Sequence, residues 1–290
     1  MHETNDAPPR LQVASGVPQL RPSYAALSGT GESRPGRRRY PGRMTEVAHD
    51  AQQQAPEAAD TVELLGLVAH LQHVAFNRLA EDARVAPTTA QQLELSRLAA
   101  AAVDRRDRVL ARVVELGGEP ERCLGAYARL LEDFDSRTQP STWWERLLRS
   151  YVADGVSDDF CRIAASAVDD RSRALLLEVL DDAAHANLAV GELEAAGAHD
   201  EVLVSRLALW GRRLVGEALG VVQQAMSAHP GLGRLVTRRE AEARAASQEP
   251  AAAPAPEAPA AEADGAAPAK LFGELTAEHT RRMSRLGLTA

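Results

Sequence analysis

The stretch RALLLEVLDDAAHANLAVGELEAAG, residues 173–197, decides the reading of the fold. Leu175, Val179, Asp182 and Ala189 fall on one stripe at helical spacing, which predicts a single amphipathic helix from about Asp170 to Ala196. Asp182 and His185 are three residues apart, and side chains at i and i+3 share a helix face. A carboxylate and an imidazole placed this way on a core-facing stripe form the pair that four-helix bundles use to hold two metal ions. The partner helix should carry a matching pair. It reads LSRLAAAAVDRRDRVLARVVELG, residues 95–117, and its stripe of Leu95, Leu98, Ala99, Ala102 and Val109 carries none.

Working outward, the rest of the chain reads as helix. Aromatic residues are scarce and no alternating strand pattern recurs, so the fold class is all-α: a four-helix bundle with a crossover helix, a further long helix and a short terminal one. Helix A is expected from Thr61 to Arg84, with Leu65, Val68, Phe76 and Leu79 on its stripe. Thr88 and Thr89 supply an N-cap for helix B, and Gly117-Gly118 ends it, because glycine readily takes the left-handed position after a helix. Pro120 opens a crossover segment, and Ser141 is the expected cap of helix C. Helix E follows from Glu201 to Ala228, and LFGELTAEHTRRMSRL, residues 271–286, reads as a short amphipathic helix that folds back onto the bundle.

The domain boundaries follow from composition. Residues 1–58 lack apolar periodicity and read as a disordered extension, 59–247 as the bundle, 248–268 as an Ala/Pro-rich linker, and 269–290 as the docking helix. Met44 opens an ordinary polar N-terminus, which raises the expectation that residues 1–43 are upstream sequence. A net charge of −8 argues against a broad nucleic-acid surface, and the basic run at residues 34–43 reads as a solvated segment. Cys123 and Cys161 have no zinc spacing and read as packing residues. No stretch is apolar enough to cross a bilayer, so the expected location is the cytoplasm.

The stripes place several polar residues inward. Gln72 aligns with Leu65, Val68, Phe76 and Leu79, and Asp154 aligns with Leu147, Tyr151 and Cys161. Asp158 and Asp159 are weaker candidates, and Glu178 precedes Asp182 by one turn as a supporting group. His70 and His73 sit near the edge of their stripe, and Asp104 and Asp107 read as a salt-bridged surface pair.

The blocks FNRLAEDARVAPT (76–88), WWERLLRSYVADGVSDDFCR (143–162), LLLEVLDDAAHANLAVGEL (175–193), SRLALWGRRLVGEALGVVQQA (205–225) and FGELTAEHTRRMSRLGL (272–288) resemble the ferritin-like proteins called MiaE-like, similar to bacterial tRNA isopentenyladenosine hydroxylase. That resemblance implies a di-iron site, with a metal-binding Glu where Gln72 stands, a Glu where Ala102 stands and a His where Arg105 stands. The chain departs at all three. It keeps Asp154, Asp182 and His185 as a remnant metal set.

Three readings follow. The first is a non-catalytic bundle with no cofactor, in which the guanidinium of Arg105 replaces the metal among Asp154, Asp182 and His185. The second is a hydroxylase with an unusual iron site. The third holds one divalent metal on Asp154, Asp182, His185 and water. The sequence names no protein partner. Gly211, Ala218 and Ala225, at sevenfold spacing on helix E, suit either packing within the chain or a homodimer.

Overall fold

The computed structural model describes residues 43–181, 183–247 and 260–289, with side chains described from residue 57 and, in the last segment, from residue 268. The expectations for residues 1–42, for 248–259 and for Asp182 fall outside the described residues. The chain divides into two units, Met1–Met44 and Thr45–Ala290, and the core lies in the second.

All regular elements among the described residues are helices: α1 (Arg43–Val85), α2 (Thr89–Glu115), α3 (Pro120–Gly125), α4 (Glu132–Arg137), α5 (Trp143–Ala165), α6 (Asp170–Leu180), α7 (Ala184–Gly197), α8 (Glu201–Ala228), α9 (Pro230–Ser247) and α10 (Ala260–Arg285). The all-α expectation holds. Two helices start earlier than their apolar patterns suggest, α1 at Arg43 and α10 at Ala260.

Local chemistry accounts for most boundaries. Thr88 caps α2 in a capping box, its hydroxyl accepting from the Gln91 N–H while the Gln91 side chain accepts from the Thr88 N–H. Gly117 takes φ +80°, and the N–H groups of Gly118 and Gly117 return to the Val113 and Val114 carbonyls, a Schellman ending. The same motif closes α10. Gly287 has φ +65°, Leu288 N–H reaches Met283 O at 3.0 Å, and the Leu288 and Met283 side chains are both buried. The cap of α5 is Thr142 rather than the expected Ser141.

α5 is the central helix. It packs against α6, α7, α8, α9 and α10 and buries four consecutive residues, Ser150 to Ala153, as a helix enclosed on most sides must. α1 joins the core through Leu64, Leu65, Leu67 and Val68. The crossover between the two helix pairs is split into α3 and α4, joined by turns.

The expected continuous helix over 170–196 is broken. The chain leaves α6 at Leu180 and re-enters helix at Ala184, with Asp181 at φ −86°, ψ 5° and Ala183 at φ −84°, ψ 0°. The Leu180 carbonyl accepts from Arg162 Nη2, a tertiary partner in place of the next helical N–H.

Gly211, Ala218 and Ala225 are all buried within the chain. A Cβ on Gly211 would lie 2.3 Å from Met283 Cε, so α10 already occupies that position of the stripe.

Candidate functional site

The break between α6 and α7 opens onto a cavity of about 300 Å³. α1 contributes Gln72, α2 Arg105, α5 Asp154, Asp158 and Asp159, α7 His185, and α10 Arg282.

Gln72 is buried, as its stripe predicts, and its side-chain oxygen accepts from Arg105 Nε at 2.8 Å. Ala102 is fully buried one turn away on α2 and leaves room beside this pair. Asp154 is the residue on α5 that reaches toward α7. Its Oδ2 lies 3.7 Å from His185 Nδ1 and its Oδ1 lies 3.7 Å from Arg78 Nη1. Arg78 is thus a cation partner of Asp154, while Arg105 bonds Gln72.

Arg78 belongs to a wider charged layer. Its Nη2 donates to Asp135 Oδ1 at 2.7 Å, Arg149 pairs with the same carboxylate, and both guanidiniums lie over the Phe134 ring, at 5.8 and 5.4 Å from its centroid.

Burial pushes the Asp158 carboxyl up to about 7. Repulsion from Asp154 adds to this, and Arg162 and Arg282 oppose it. Arg282 reaches in from the C-terminal helix. Its Nη2 donates to Asp159 Oδ2 at 2.5 Å, and its guanidinium lies against Gly155, where a Cβ would come within 2.2 Å of Nε. Arg162 adds a second cation near Asp159, at 3.5 Å.

Other sequence candidates lie elsewhere. His73 faces Arg106 at 3.3 Å, and His70 packs against Tyr127, whose ring stacks on His229 at 4.0 Å. Burial, with His73 and Arg78 adding, holds His70 down at about 4. Glu178 is exposed and pairs with Arg108 at 2.7 Å, so it does not support the cavity. Asp107 is exposed and pairs with its neighbour Arg106.

Sequence reasoning missed Arg282, Arg162 and Asp82. Asp82 is a buried carboxylate bonded by Arg146 Nη1 at 2.8 Å. Burial pushes its carboxyl up, while Arg146 and the nearby His185 pull against that. Gly155, one residue after Asp154 on the most buried helix, was the available sign of a close approach.

Among the described residues, which leave out Asp182, no group of three or more His, Cys, Asp or Glu side chains is placed to hold a metal ion. A guanidinium occupies the Gln72 oxygen, and Asp154 faces a guanidinium and an imidazole. No described helix is long and apolar enough to cross a membrane.

A family model described as a ferritin-like domain of actinomycetes matches residues 57–239. The chain therefore belongs to that ferritin-like family, and α10 lies beyond the matched span. No curated protein matches the sequence.

Proposed function

We propose, taking membership of the ferritin-like family as premise, that this chain is a non-catalytic bundle whose central site is held by side chains instead of metal ions. The observation that supports this is the bond from Arg105 Nε to Gln72 Oε1 at 2.8 Å. Both residues stand where the resemblance to MiaE-like proteins places a metal ligand. An amide oxygen committed to a guanidinium is a poor donor to iron, and a permanent cation repels a divalent ion at close range. Ala102 supplies no donor atom at the third such position. Of the remnant set, Asp154 faces both His185 and Arg78.

The alternative reading is a di-iron hydroxylase resembling tRNA isopentenyladenosine hydroxylase. The cavity beside Asp154 and His185 is the observation in its favour. One measurement separates the two. Elemental analysis of the purified full chain should find iron, manganese and zinc well below one atom per chain. About two tightly held iron atoms per chain would overturn the non-catalytic reading and support the hydroxylase.

A further inference from the structure

The cavity lining mixes apolar residues, among them Leu71, Leu79, Leu98 and Val179, with charged ones. On it two buried polar atoms have no hydrogen-bond partner among the described residues: Arg282 Nη1 and His185 Nε2.

The Arg282 atom is the more informative. A guanidinium has donors only and keeps its charge, so whatever meets Nη1 must bring an acceptor. Its neighbours hold the arginine in this position. Asp159 holds its Nη2, the backbone at Gly155 lies against its Nε, and its side chain is only 12% exposed. His185 Nδ1 lies 3.7 Å from Asp154 Oδ2, and Nε2 is a second polar handle.

The charge pattern selects a monoanion. Asp159 is shared by Arg282 and Arg162, so the carboxylate beside Arg282 is already compensated and Arg282 Nη1 remains for one further anionic acceptor. A dianion would also face Asp158. The apolar lining residues favour a ligand body that gains from leaving water.

We propose that this cavity binds a small organic monocarboxylate, its carboxylate accepting from Arg282 Nη1 beside His185 Nε2 and its apolar body lying against Leu71, Leu79, Leu98 and Val179. The proposal rests on the preceding reading that side chains, not metal ions, hold the site. α10 thereby completes a binding site in the bundle by supplying its anchoring cation.

The test is calorimetric titration of the full chain, first shown by elemental analysis to be metal-free, with acetate, butyrate, hexanoate and phenylacetate. Affinity should rise roughly fourfold per added methylene until the cavity is full. Hexanamide should bind at least tenfold more weakly than hexanoate, because it lacks the charge. Arg282→Gln should weaken hexanoate at least tenfold. Because that change also touches the docking of α10, Ala75→Phe serves as a second variant. It adds bulk to the cavity lining and should abolish hexanoate binding in a chain that still unfolds cooperatively. Absence of saturable binding by any of the acids to metal-free protein overturns this proposal alone. Equal binding of hexanoate and hexanamide, or of hexanoate by the parent and Ala75→Phe chains, also overturns it. Stoichiometric iron would instead overturn the preceding reading.

Discussion

Replacing Gly155 with alanine tests whether the C-terminal helix is socketed on the central one. Alanine in a helix interior is more favourable than glycine by about 0.5–1 kcal/mol, so on local grounds Gly155→Ala stabilises α5. The tertiary term has the opposite sign. The new methyl would lie 2.2 Å from Arg282 Nε and 2.4 Å from Cζ, inside any tolerable contact. The guanidinium must move, and with it goes the bond to Asp159, whose side chain is 15% exposed. Arg162 still faces Asp159, so the loss is that of one charge-assisted hydrogen bond, about 1.5–3 kcal/mol. Subtracting the helix gain leaves a net loss of about 1–2 kcal/mol. Urea denaturation followed by circular dichroism measures it, with Gly216→Ala and Gly220→Ala as controls. Both controls sit inside α8 with nothing within 4 Å of the added Cβ and should gain about 0.5–1 kcal/mol. In an Arg282→Ala background, Gly155→Ala should become stabilising as well. If Gly155→Ala alone raises the midpoint as the controls do, the socket reasoning is wrong.

Arg105→Ala should cost about 1–3 kcal/mol by leaving the buried Gln72 oxygen without its donor, read as a lowered urea midpoint at constant slope; no change would show the bond to be idle. Combining Gln72→Glu, Ala102→Glu and Arg105→His should confer stoichiometric iron binding, measured by elemental analysis after reconstitution, and iron-free protein would refute the assignment of these positions. Asp60 is buried under Arg234 and Arg238, with Arg234 Nε at 3.0 Å, so removing both arginines should cost roughly 3–5 kcal/mol, and a loss no larger than that of an exposed arginine would refute the pairing. His70 and His279 are each held down at about 4, chiefly by burial, against 6.5 when free. The unfolded chain therefore takes up these protons first. Their stabilising effect is full above pH 6.5 and declines as pH falls toward about 4. The urea midpoint should drop between pH 7 and pH 5, and less steeply in the chain carrying both His70→Phe and His279→Leu; equal slopes would contradict the sign.

The helical class and most helix ends were legible because they rest on short-range chemistry. Thr88 with Gln91, the Gly117 turn and the inward placement of Gln72 each depend on residues a few positions apart. The break between α6 and α7 was not legible. Neither Pro nor Gly stands at residues 179–186, and the helical pattern runs straight through. The break is satisfied by Arg162, which donates to the Leu180 carbonyl from another helix. The cavity was hidden for the same reason. The sequence marked Asp154 and His185 as inward-facing by periodicity, and the structure lines the cavity with both. Arg282 meets Asp159 across 123 positions of chain, and only Gly155 hinted that a side chain approaches α5 there. Periodicity reports which face of a helix turns inward. Which partners meet on that face, and whether a cation of the chain holds the place of a metal ion, depends on how separate helices pack.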